Sequence, residues 1–492
     1  MGQRRPTYGQ RIPSVAAVLL GALAMACSKT HETSAIDRLK PCRAVDGPTD
    51  GYCGRLDVFE DRHAGTGRKI SLNMVVLPAL KQTSAPDPLF VLAGGPGEGA
   101  AGLAGETQEL FRSIEAGRDI VLVDQRGTGK SNPLDCKAER EADPGNSTTV
   151  FIDRLHSCLD TYSPKADVSK YTTDIAMDDL DDVRQFLGYA TINLYGGSYG
   201  TRAAIVYARS HRDHTRAVIL DSVVPTDMRI PLYWARDSQR ALDLLIRDCE
   251  KDSGCNRRFP NLRQRLEALL DRLAAHPEHI RYTDPRTGLN GEMDVHRLTF
   301  TGTLFTALYS PTSAAVIPLL VEQAEQGNFG GVLALRASFD VLAQRIAFGL
   351  QFSVLCSEDA SRITPGSVKP EARGTFLGSE MAEARLTPCE FWPRAVMDPS
   401  YFAASASDVP ALILSGELDP VTPPLWGEQV ASQWKDSRHI VVPATGHITA
   451  SAGCVMKLMT RFLNDGSAST LDVSCLDRLK RPPFVLGPSG PE

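Results

Sequence analysis

Short apolar runs, separated by helix-like stretches, organise most of the chain. The segments 69–77 (KISLNMVVL), 88–93 (PLFVLA), 119–124 (DIVLVD), 191–195 (TINLY), 216–221 (RAVILD), 410–415 (PALILS) and 439–442 (HIVV) are rich in β-branched residues and nearly free of polar alternation. Runs of this kind fit strands buried on both faces. Between them, 172–187 opens on a Thr and sets Ile175, Leu180, Val183, Phe186 and Leu187 roughly on one stripe, which predicts an amphipathic helix. A second helix is predicted over 201–210. Strand and helix in alternation imply an α/β fold, a mostly parallel sheet with helices on both faces.

The strand pattern stops after 221. From 228 to 399 the periodicity is mainly helical, as in 234–248, 262–276, 299–309 and 314–326. Strands resume at 410. We therefore expect a core in two parts, 51–227 and 400–492, interrupted by a large helical cap at 228–399 that lies over the carboxyl ends of the strands, where open α/β sheets bind ligands. Residues 27–50 read as an irregular tether.

Several of the runs end in glycine-rich turns that carry chemistry. Gly196-Gly197-Ser198-Tyr199-Gly200 follows one strand and opens a helix. A sharp strand-to-helix turn lifts a serine oxygen out of a sheet, and flanking glycines relieve the crowding. Ser198 is the predicted nucleophile. A serine hydroxyl needs a base. Of the 10 histidines, His447 lies in the loop after the last strand, where the final member of a Ser, Asp, His order falls. His439 opens that strand, at the opposite end of the sheet. Asp419, in the loop after 410–415, is the predicted carboxylate partner, with Glu417 and Asp221 as rivals. The oxyanion donors are predicted to be the backbone N–H groups of Tyr199 and Gly95, from Gly94-Gly95-Pro96-Gly97 after 88–93, with Gly94 as the alternative. The stretch 124–131 (DQRGTGKS) ends like a phosphate loop but lacks the required spacer. An Asp124–Arg126 ion pair that steadies this loop is the expected reading.

Taken together, GGPG at 94–97, DQRGTGKS at 124–131, GGSYG at 196–200, GELDPVTPP at 416–424 and ATGH at 444–447 resemble the proline iminopeptidase and tripeptidyl aminopeptidase family. The resemblance covers about 50–480 and implies an α/β-hydrolase fold, with Ser198, Asp419 and His447 as the triad and Gly95 in the oxyanion hole. It implies no metal and no cofactor. It also implies a serine exopeptidase that releases residues or tripeptides from small peptides with a free N-terminus. The proline-specific members usually carry His before the two glycines, where this chain has Ala93, and 416–424 looks more like the tripeptidyl-releasing branch. The family often shows a Cys-x-Glu-Asp patch. Here it is Cys356-Ser357-Glu358-Asp359, which makes Glu358 the expected ligand of a substrate ammonium. An ester hydrolase using the same residues remains the alternative, and a non-catalytic envelope binding protein is the alternative of another class.

The N-terminus adds a location. Arg4, Arg5 and Arg11 precede the apolar run 15–26, followed by Cys27. This reads as an export signal over 1–26, too short for a comfortable span. LAMAC at 23–27 resembles a lipoprotein cleavage site, so Cys27 is the expected lipid attachment point in the periplasm or cell envelope. Plain secretion is the alternative. There are 11 cysteines. Setting Cys27 aside leaves an even number, which fits an oxidising compartment. Their local spacing predicts Cys42–Cys53, Cys136–Cys158, Cys249–Cys255, Cys356–Cys389 and Cys454–Cys475. No spacing matches a metal site. A net charge of −6 without basic runs argues against a nucleic-acid partner. A monomer is the expected state.

Overall fold

The apolar runs pair into one nine-stranded sheet. Its strands are β1 (Lys40–Arg43), β2 (Asp50–Phe59), β3 (Lys69–Leu77), β4 (Leu89–Leu92), β5 (Ile120–Val123), β6 (Ile192–Gly197), β7 (Thr215–Asp221), β10 (Ala411–Gly416) and β11 (Ser437–Val442), while β8 (Glu278–Thr283) and β9 (Asn290–Val295) form a separate hairpin. The computed structural model describes residues 35–43, 50–81, 84–136, 148–284, 288–364, 366–403, 406–487 and 490. The order across the large sheet is β1-β2-β3-β5-β4-β6-β7-β10-β11. β1, β2, β3 and β5 pair antiparallel in succession. From β5 to β11 every pairing is parallel.

Strand periodicity divides the core between the two faces. On β7, Val218 and Leu220 join one apolar layer with Ala203, Val206, Met177 and Leu180 of the helices Thr173–Leu187 and Tyr199–Ser210. Ala217 and Ile219 join the other layer, with Phe111, Ile114, Met459 and Phe462. β10 repeats the split, with Ile413 on the first side and Leu412 and Leu414 on the second. Both faces are covered, which is why these strands carry no polar alternation.

The chain leaves the sheet after β7 and returns at β10, and the two strands lie side by side, Ala411 opposite Val218. Between them come the helices Trp234–Lys251, Leu262–Ala275, Arg297–Ala307 and Ile317–Glu325, packed on one another through Leu245, Leu266, Phe300 and Val321. The described residues from 35 onward belong to one compact unit. Two features differ from the expectation. The segment contains the β8–β9 hairpin, whose first strand alternates half-buried and exposed residues, and a π-helical turn at Leu355–Asp359. The stretch read as a tether also contributes β1, which pairs with β2 and is tied to it by the Cys42–Cys53 bond. Strand pairing and the crosslink order a segment whose own pattern is too short to be read.

The other disulfides are Cys136–Cys158, Cys249–Cys255, Cys356–Cys389 and Cys454–Cys475, so the five bonds join the pairs expected from local spacing. The export signal and Cys27 lie outside the described residues. Among those described, no helix is long and apolar enough to cross a membrane.

Candidate active site

Ser198 sits between the end of β6 and the Tyr199–Ser210 helix, at φ 55 and ψ −124. This positive φ is strained for a residue with a side chain. The turn closes only because its neighbours are small. A Cβ on Gly196 would lie 2.2 Å from the Gly200 carbonyl oxygen, and one on Gly200 would lie 2.2 Å from that of Leu92. The helix begins at Tyr199, so its first N–H groups have no intrahelical acceptor and point toward the turn. The 94–97 loop runs past the same point. A Cβ on Gly94 would lie 3.9 Å from Ser198 Oγ, and Gly95 adopts φ +109. Gly94, Gly95 and Tyr199 are thus gathered around the serine.

His447 and Asp419 meet, with Nδ1 2.8 Å from Oδ2. Asp419 is fully buried. Its Oδ1 accepts the N–H groups of Val421 (2.9 Å) and Thr422 (2.8 Å), and Thr422 Oγ1 donates to its Oδ2 at 2.7 Å. Burial, the largest influence, opposes ionisation, but the His447 charge, its hydrogen bond and the two N–H groups outweigh it and hold the carboxyl at about 2. Tyr309 flanks the imidazole from a further side, its ring edge-on 5.0 Å away, and its carbonyl accepts the backbone N–H of His447 at 2.8 Å.

Asp221 moors both loops. Its backbone oxygen accepts the Ser198 N–H at 2.9 Å. Its carboxylate accepts the N–H of Thr449 (2.9 Å) and of Ala450 (2.9 Å), and also the Thr449 and Tyr195 hydroxyls. The serine turn and the histidine loop therefore hang on one residue at the end of β7. This engagement removes Asp221 as a rival to Asp419. Glu417 is engaged too, accepting the Ala444 N–H at 2.8 Å. His439 lies within the sheet against Ser415 Oγ at 2.9 Å.

Two expectations are corrected. Asp124 and Arg126 do not pair with each other. Arg126 grips Asp179 through Nε (2.7 Å) and Nη2 (2.9 Å) and donates to the carbonyls of Glu60 and Lys170. Asp124 turns beneath its own loop to accept N–H groups of Ala101 and Lys130 and the Asn73 amide. A Cβ on Gly129 would lie 2.3 Å from Asp124 Oδ2, so glycine makes room for this turn. Glu358 does not face a substrate. It is fully buried, with Oε1 accepting the Thr173 N–H at 2.7 Å and Oε2 accepting from Tyr401 and lying 3.4 Å from Arg202. Asp359 beside it takes Arg202 through two bonds of 2.9 and 3.0 Å. The acidic pair is the counter-ion of a buried arginine on the Tyr199–Ser210 helix, and its oxygens are already matched.

One other group among the described residues brings metal-binding side chains together: Asp181, His211 and His214. It lies near the far end of the Tyr199–Ser210 helix, about 18 Å along it from Ser198 by helical rise. Asp181 is bonded there by Arg184 and Tyr207, so an added cation would meet a positive charge already in place.

The parallel sheet, the strained serine after β6 and the Asp-His pair after β10 and β11 are the layout of one fold. Residues 87–274 match the family model described as alpha/beta hydrolase fold. The chain has the α/β-hydrolase fold. Residues 374–475 of the hydrolase match the model described as TAP-like protein. It is 25% identical over 479 residues to the serine protease Hip1 of Mycobacterium tuberculosis, covering 88% of this chain and 90% of that one. It is 30% identical over 145 residues to the proline iminopeptidase of Arabidopsis thaliana, 29% of each chain. The solved structure of proline iminopeptidase from Mycobacterium smegmatis aligns with a TM-score of 0.38 at 16% identity, over 84% of this chain and 98% of that one. The hydrolase is an enzyme of the serine-hydrolase type.

Proposed function

We propose that this hydrolase is a serine exopeptidase, an aminopeptidase acting on small peptides through an acyl-enzyme. The observation that carries the reading is the buried Asp419–His447 hydrogen bond, held beside the Ser198 turn by Asp221. In the proposed course His447 takes the Ser198 proton as Oγ attacks the scissile carbonyl carbon. The N–H groups of Tyr199 and Gly95 stabilise the oxyanion. The C–N bond breaks and the amine leaves with the proton from His447. Water, deprotonated by the same histidine, then releases the acyl group. Asp419 holds the imidazole in the tautomer that presents Nε2 to the serine.

Similarity to a serine protease over most of both chains supports peptide hydrolysis. Residues of the insertion, Tyr309 and Gln351, reach His447 and the Pro96 carbonyl. A site roofed in this way favours chain ends and short peptides over folded proteins. The substrate ammonium is held by a group other than Glu358. Five disulfides support an exported location, and attachment through a lipidated Cys27 belongs to the same proposal, tested by mass analysis of the mature N-terminus.

The activity is tested by comparing tripeptide and tetrapeptide anilides with free and acetylated N-termini, alongside short acyl esters. An exopeptidase cleaves the free peptides and discriminates against the acetylated ones. Ser198→Ala abolishes burst-phase acylation while leaving the melting temperature within a few degrees. Turnover of esters alone would assign the same residues to carboxylic-ester hydrolysis.

A further inference from the structure

Arg385 stands on the Glu380–Leu386 helix of the insertion and is half-buried. Its guanidinium lies 6.0 Å from the Trp234 ring and 5.9 Å from that of Phe352. Nη1 donates to Gln351 Oε1 at 2.8 Å, and Gln351 Nε2 donates to the Pro96 carbonyl at 3.3 Å, on the loop beside Ser198. On another side its positive charge reaches the Tyr309 phenol, and Tyr309 packs on His447. Arg385 is therefore connected to the site from two directions, through the oxyanion loop and through the ring beside the histidine.

A guanidinium offers five N–H donors. The buried arginines near the sheet have carboxylates: Arg126 has Asp179, Arg202 has Asp359, and Arg118 has Asp87. Among the described residues Arg385 has one neutral amide acceptor and no carboxylate. Burial pushes its pKa down, yet an arginine stays charged at neutral pH. A cation flanked by aromatic rings and left without a counter-ion is a site waiting for an anion.

We propose that Arg385 reads a carboxylate on the substrate. The proposal deepens the peptidase reading and rests on it for the substrate class. Two sources share this chemistry: the terminal carboxylate of a short peptide, and an aspartate or glutamate side chain. Either meets the fork of Arg385 as a planar, bidentate acceptor.

The test uses the purified, disulfide-bonded protein. One arm compares tetra-alanine with its C-terminal amide, and the other compares Ala-Ala-Glu anilide with Ala-Ala-Gln anilide. The wild type prefers the charged member of one pair about 10-fold or more in kcat/KM, chiefly through KM, and that pair identifies the source. In Arg385→Gln the ratio falls to about 1, while Arg385→Lys keeps part of it. Because each ratio is taken within one protein, loss of folded material cancels. Peptide cleavage without charge preference in either arm, or a preference that survives Arg385→Gln, overturns the proposal and leaves the peptidase reading intact. If no peptide is cleaved, that reading fails by itself. The same ratio is then taken between the 4-nitrophenyl esters of adipic and hexanoic acid, where a preference for the adipate ester lost in Arg385→Gln sustains the proposal. Equal rates, or no turnover of either ester, overturn it.

Discussion

Asp419 is buried, and its two oxygens have different tasks: Oδ1 caps the Val421–Thr422 turn while Oδ2 faces His447 and Thr422. Asp419→Asn keeps the shape but reverses the hydrogen-bond logic at Nδ1, so kcat is expected to fall about 10⁴-fold in a steady-state assay. The same carboxyl has a stability signature. It is held at about 2 when folded and about 4 when unfolded. Its stabilising contribution, about 2 kcal/mol, is complete above the unfolded value and is lost as the pH falls through the folded one. The melting-temperature gap between wild type and Asp419→Asn should therefore narrow from about pH 5 to about pH 2. A gap that stays constant over that range would contradict the assignment. Asp419, His447 and Ser198 were readable because each ends a strand in a recognisable turn. Glu358 was misread because its acidity is local, whereas its partners Arg202, Thr173 and Tyr401 come from distant parts of the chain. Nothing in the sequence near 358 announces an arginine at 202.

At the scale of elements, the Tyr199–Ser210 helix is anchored at both the strand turn and the insertion. Arg202 links its first turn to Asp359 and Glu358 on the π-helical turn and to the Met228 carbonyl. Removing the cation takes the main counter-ion from two buried carboxylates, leaving Arg362, 3.3 Å from Asp359, as the remaining cation beside them. Arg202→Met is expected to lower stability by about 3–5 kcal/mol, read from urea unfolding. Asp221 anchors the other elements. Asp221→Ala frees the N–H groups of Thr449 and Ala450 and should reduce kcat more than its effect on melting would suggest, because the His447 loop loses its mooring. Equal proportional losses of kcat and folded protein would argue against this positioning role. The central strands were legible, since continuous apolar runs of this length have few other uses. The β8–β9 hairpin was not. Its first strand is partly exposed and lies among long helices, so packing on one side, not an apolar run, specifies it.

Across the whole molecule, each disulfide closes a loop within the sheet core or within the insertion, while apolar contact and the Arg202–Asp359 pair join the two. The Cys356–Cys389 bond closes a 33-residue separation beside the Arg202 cluster. Replacing both cysteines by serine should cost about 3–4 kcal/mol, measured by denaturant unfolding under oxidising conditions. The sequence by itself determined the alternation of strand and helix, the interruption between β7 and β10, and the order of serine, aspartate and histidine, and its local spacing suggested the five cysteine pairs that the fold then joined. These depend on short-range patterns: apolar periodicity, turn residues and spacing. Only the tertiary structure decided which carboxylate meets His447, that Asp221 moors two loops, that Asp359 and Glu358 neutralise Arg202, and that Arg385 has no carboxylate partner among the described residues. Those outcomes depend on which distant side chains burial brings together, and a charge taken out of water is satisfied by whatever the fold places within reach.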